Sequence, residues 1–127
     1  MRSRVVEFLI SLGIAVSQAD ALLDFVVESV NQIIRNETNQ SDVPAGLESV
    51  AVYMAAGQYL KFKKGAGQLD GFELDDAAVK RIKEGDTDVT FALGEGSETP
   101  EQRLDRLINT LIDSGRGQFA KYRKLVW

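Results

Sequence analysis

The sequence contains no cysteine and no histidine among its 127 residues, only two prolines and a single tryptophan. Without cysteine there are no disulfides and no thiolate chemistry; without histidine there is no imidazole base, and most zinc and haem ligation goes with the pair. The missing cysteine also suits a reducing compartment. Long apolar runs are absent as well. The stretch "FLISLGIAV" at 8–16 is too short to span a bilayer, and no clear leader cleavage site follows it, so the expectation is a cytosolic product without membrane contact.

What is present reads as one ordinary domain. The apolar fraction of 44% with 27% charged residues is unlike a disordered chain and large enough to form a modest core. The net charge of −4 disfavours a general duplex-DNA binder, whose surface would be basic. The charge is also polarised. Residues 1–115 hold all nineteen acids and eleven Lys or Arg, a balance of −8, whereas 116–127 carry Arg116, Lys121, Arg123 and Lys124 and no acid.

Helical signals dominate. "RVVEFLISL" at 4–12 predicts a short buried helix ended by Gly13. Ser17 and Asp20 have capping-box spacing ahead of Leu22, Leu23, Val26, Val27, Val30, Ile33 and Ile34, which share one helical face. "NETNQSD" at 36–42 reads as a polar connector. A helix is predicted from Pro44 to Lys64 with Gly65 as its stop, apolar on all sides and therefore central, and small at Ala51, Ala55, Ala56 and Gly57. Its close neighbour belongs to the same chain or to another copy. "GAGQLDGFELDDAA" reads as a loop. Thr99, Pro100 and Gln102 open a last helix whose inner face is Leu104, Leu107, Ile108, Leu111 and Ile112, with Gly115 its stop. Between the loop and this helix, "AVKRIK" and the alternating "VTFAL" flank "EGDT", predicting a hairpin near 78–93. The expected fold is mainly α: a small helical bundle over 1–115 with one β-hairpin excursion, followed by a C-terminal arm at 116–127.

No constellation carries catalysis. Asp75 and Asp76 sit in a polar stretch that would not perturb their pKa values, and no Ser or Thr has an imidazole to activate it. "GDTD" begins like a calcium loop but has Ser97 where the bidentate Glu should be. "GAG" at 65–67 follows a helix, not a strand, and makes a poor phosphate cradle. Neither an enzyme nor a cofactor or metal protein is expected.

The tail "RGQFAKYRKLVW" is the segment a bland reading explains least. One reading folds it back as an extra helical turn over its own core. The other makes it a docking arm, because aromatic and Arg side chains supply most anchor energy at interfaces. Stacking on single-stranded nucleic acid is a third reading, disfavoured by the acidic body.

The series "ALLDFVVESVNQIIRN", "VPAGLESVAVYMAAGQYLK", "AVKRIKEGDTDVTFA" and "LINTLIDSGRGQFAKYRKLVW" resembles the head-to-tail connector (adaptor) proteins of tailed bacteriophages and prophages of Gram-positive hosts, in order and with similar spacing. The resemblance implies a virion protein of the phage neck, made in the host bacterial cytoplasm. Such proteins bind the portal ring, assemble as a ring of about twelve copies, extend the DNA channel and receive a stopper or another neck or tail protein. It assigns the portal-docking arm to Arg116, Phe119, Tyr122, Arg123, Lys124, Leu125 and Trp127. "RNETNQSD" departs from the family pattern in being more polar. An isolated hairpin is marginal in water, so this one either packs on its own helices or pairs with something beyond them; the expectation is that Ile82, Glu84, Asp86, Val89 and Phe91 contact an adjacent subunit. An acidic body suits a channel through which DNA passes without specific binding.

Two alternatives stand beside this reading. A prophage nucleic-acid-binding regulator would need cations on a recognition helix, yet Arg103 and Arg106 share theirs with Glu101, Asp105 and Asp113. A tail or baseplate assembly protein differs from the connector only in its partner.

Overall fold

The computed structural model describes residues 2–14, 16, 20–67, 100–113 and 116–123. Helix α1 spans Arg2–Ser11 and buries Val5, Val6 and Leu9. It closes as a Schellman turn: the Gly13 amide donates to Ile10 O at 2.9 Å, the Ile14 amide to Leu9 O at 3.1 Å, and Gly13 takes a φ of 88° that favours glycine. Gly13 therefore ends this helix as its sequence position predicts.

Helix α2 spans Ala21–Thr38 and faces inward with Leu23, Val26, Val30, Ile34 and Thr38. Its N-cap is Asp20, which replaces the expected start at Ser17. The Asp20 carboxylate accepts from the Leu22 and Leu23 amides at 3.0 and 3.3 Å, satisfying two donors that the first turn leaves open. The helix also runs further than expected, taking in Asn36, Glu37 and Thr38 from the polar connector. Thr38 is fully buried and its hydroxyl donates back to Ile34 O at 2.6 Å, so a residue that reads as polar loop is core-facing helix. Asn39 then adopts the left-handed conformation (φ 53°), and the Gln40 amide donates to Arg35 O at 3.1 Å, a second Schellman closure with Asn in place of Gly.

Pro44 precedes a 3-10 turn, Ala45–Leu47, that leads into α3, Glu48–Gly65. Gly65 lies inside α3. The reversal comes two residues later at Gly67 (φ 73°), where an L side chain would be strained. Helix α3 buries residues on every side, including Val50, Ala51, Met54, Ala55, Tyr59 and Leu60, because it is the hub against which α1, α2 and α4 (Pro100–Asp113) pack. At Gly57 α3 and α4 approach closely. A Cβ there would lie 2.8 Å from Leu111 Cβ and 3.0 Å from the Ile112 backbone nitrogen, so the close neighbour at this position is the same chain. The inner face of α4 holds Leu104, Leu107, Ile108 and Leu111, all buried, as their spacing predicts.

Surface ion pairs join the helices. Arg2 meets Asp24 at 2.5 Å, Arg4 meets Glu48 at 3.2 Å, and Lys64 pairs with Asp105. Each contributes little beside the core, typically under about 1 kcal/mol. Among the described residues the chain is helical and contains no strand. The predicted hairpin near 78–93, with Ile82, Glu84, Asp86, Val89 and Phe91, lies outside the described residues.

Candidate docking surface at the C-terminal turn

The residues after α4 form a 3-10 turn, Arg116–Gln118, and a single helical turn, α5, Phe119–Tyr122, packed against α2. Phe119 is 6% exposed and belongs to the core cluster, and Tyr122 packs partly buried against it. Burying an aromatic side chain removes its large apolar area from water, which suffices to hold a turn too short to be stable alone. The Tyr122 ring rests on Gly46 in the 3-10 turn before α3, and the Gln40 side-chain amide donates to Tyr122 O. Of the three readings of the tail, residues 116–123 follow the one in which the chain folds back over its own core. Phe119 and Tyr122, expected as docking anchors, are internal contacts. The reason is the Gly46 surface, which leaves room for a phenol.

Arg123 ends this turn in an extended conformation (φ −71°, ψ 124°), with its amide donating to Ala120 O at 3.4 Å, and is exposed. Arg123 stands near the C-terminal end of α2, where the Gln40 side chain donates to Tyr122 O. Arg116 falls in the 3-10 turn, while Lys124, Leu125 and Trp127 lie outside the described residues. At the C-terminal end of α2 is an open depression of 440 Å³ lined by Gln32, Arg35, Asn36, Asn39, Gln40 and Ser41. Its polar groups are largely engaged with one another. Arg35 donates to Glu28 and Gln32 at 3.1 and 2.9 Å, and Gln32 donates to Asn36 at 2.9 Å.

A second polar cluster lies at the opposite end of α2. The Tyr59 hydroxyl, on a side chain 1% exposed, donates to Asp20 Oδ2 at 2.6 Å. Lys63 Nζ stands 4.0 Å from the same oxygen and 5.4 Å from the Tyr59 ring centroid. Burial alone would raise the Asp20 pKa, but the hydrogen bond from Tyr59, the Leu23 and Leu22 amides and the Lys63 charge together hold it below the ordinary carboxylate value. Burial and the negative charge of Asp20 push the Tyr59 phenol well above its ordinary value. Both groups thus keep one protonation state at neutral pH. An ionised cap and a neutral phenol that fasten α2 to α3 form a clamp rather than an acid–base pair. Asp20 is legible in the sequence as a cap, but nothing local marks Tyr59 as its partner.

Among the described residues no three His, Cys, Asp or Glu side chains converge as a metal set, and no helix is long and apolar enough to cross a membrane. No protein-family model, curated protein or solved structure matches the chain.

Proposed function

We propose that this chain is a structural protein of a phage neck, a ring-forming adaptor that binds the portal and joins head to tail around the DNA channel. The observation that carries the reading is the ordered resemblance of its four segments to head-to-tail connector proteins. The charge distribution supports it: an acidic body repels the phosphate backbone of passing DNA, while residues 116–127 carry four cations and no acid. The folded-back turn narrows the docking arm to Arg123, Lys124, Leu125 and Trp127, with exposed Lys121 at its root. Phe119 and Tyr122 then hold the arm's base on the body.

A pull-down from a particle-producing lysate tests this. An N-terminally tagged full chain is compared with one ending at Arg123, which keeps Phe119 and Tyr122 and so preserves the packed turn. Portal protein captured by the full chain and lost with the shortened one is the expected result, with equal thermal melts for the two baits. Capture of tail or baseplate proteins alone, or of DNA alone, overturns the connector reading in favour of an assembly factor or a regulator.

A further inference from the structure

Three large apolar side chains stand exposed among the described residues: Ile10 at 55%, Phe25 at 61% and Phe62 at 50%. They fall into two groups by element. Phe25 on α2 and Phe62 on α3 meet edge to face with ring centroids 6.2 Å apart, and Ile10 lies on α1.

Each spot carries one uncommitted charge, and the two charges are opposite. Beside the rings, Asp24 and Glu28 are taken up by Arg2 and Arg35 at 2.5 and 3.1 Å, which leaves Lys61, exposed and without a hydrogen bond or ion pair among the described residues. On α1, Glu7 lies one turn from Ile10 on the same face, exposed and equally uncommitted. An apolar spot with a spare cation and an apolar spot with a spare anion, on different helices, make complementary surfaces.

We infer that a second copy of this chain docks here head to tail, with Phe25, Phe62 and Lys61 of one copy receiving Ile10 and Glu7 of the next. Contacts between unlike surfaces propagate into rings or filaments. The inference deepens the ring part of the neck reading by naming two surfaces that would meet; only its biological setting rests on that reading. A twofold contact through the aromatic pair alone would leave both lysines without an uncommitted acid. The two rings, at about 200 Å² each, expose roughly 220 Å², well below the ~800 Å² per partner of a standard interface. The contact is therefore weak in the free chain, weakened further by salt, and strengthened where copies are held side by side.

The test uses the purified full chain. Backbone amide NMR shifts are followed as concentration rises to about 1 mM, the range in which a weak contact populates, with sedimentation to report mass. Shifts are expected to grow together around 7–10 and around 25 and 61–62. Glu7→Lys alone or Lys61→Glu alone should each weaken association by roughly tenfold, while an equimolar mixture of the two variants restores it, because every contact then regains opposite charges. Both positions are exposed, so circular dichroism should show unchanged folding. A chain that stays monomeric with no shift up to that concentration overturns the inference, as does a Glu7→Lys variant that associates like wild type. Portal capture with a strictly monomeric chain removes this contact and spares the neck reading; self-association without portal capture does the reverse.

Discussion

The phenol of Tyr122 lies so close to the backbone of Gly46 that a Cβ on Gly46 would sit 2.7 Å from its Cζ and 2.9 Å from its Cε1, with the hydroxyl nearer still. Any side chain at position 46 requires the Tyr122 ring to move from this position. Gly46→Ala should force the ring outward and destabilise the chain by about 1 kcal/mol. In a Tyr122→Ala background the same substitution should be neutral or slightly stabilising, since only the unfolded-chain entropy effect of Gly→Ala remains. Urea unfolding of the four chains of this double-mutant cycle measures the coupling, and additive effects would show that the ring does not rest on Gly46.

Gly57 gives a sharper version of the same test, because its close neighbours include backbone. Helix propensity favours Ala over Gly by about 1 kcal/mol. Overpacking against Leu111 and the Ile112 amide opposes this by about 1–3 kcal/mol. Gly57→Ala is therefore expected to be neutral to destabilising by as much as ~2 kcal/mol, and Gly57→Val to be clearly destabilising. A stabilised Gly57→Ala in urea unfolding would mean that α3 and α4 are not in close contact there.

Phe119 separates a packed turn from a free arm. At 6% exposure, Phe119→Ala should cost about 3–5 kcal/mol. Ending the chain after Arg123 should change stability by less than about 0.5 kcal/mol. Thermal or urea unfolding of the two variants makes the comparison, and similar small effects in both would return residues 116–123 to the arm.

The Asp20–Tyr59 clamp predicts a pH signature at both ends of the scale. The Asp20 carboxyl is held below its unfolded value of about 3.8. Its stabilisation is therefore complete above that pH and is lost as pH falls through the lower folded-state value. The Tyr59 phenol is raised above its unfolded value of 10.0, so its contribution is complete below pH 10.0 and is lost as pH rises towards the folded-state value. Asp20→Ala at pH 7 should cost about 2–4 kcal/mol, from the lost cap and the orphaned buried hydroxyl. Tyr59→Phe should flatten the alkaline decline. Unfolding midpoints measured across both limbs check this, and a Tyr59→Phe variant with the same alkaline slope as wild type would rule the clamp out.

The helices were legible where the sequence repeats its signal over several turns, as at Val26, Val30 and Ile34 or at Leu104, Leu107 and Leu111. They were less legible at their ends, where one hydrogen bond decides. Ser17 and Asp20 both satisfy capping rules, and Asp20 is the cap that also has a partner on α3 in Tyr59. Asn39 could close α2 as glycine usually does because its side chain tolerates the left-handed region. The docking turn could not be read locally, since the Gln40 contact to Tyr122 spans 82 residues and Gly46 announces nothing about a distant ring. Aromatic and basic residues together suggested an arm; burial of Phe119 assigns part of that composition to the core.

Helix α3 touches every other long helix of the described fold, and this has a consequence for how the body opens. Fraying α1 exposes one side of α3, and releasing the C-terminal turn uncovers the end of α2 and the Gly46 turn, so either can happen while the middle of α3 stays covered. No such partial route exists for the amides at the middle of α3. They are expected to trade hydrogen for deuterium only through complete unfolding, so the slowest-exchanging amides in the protein should cluster around Met54 to Leu60 and report its global stability directly.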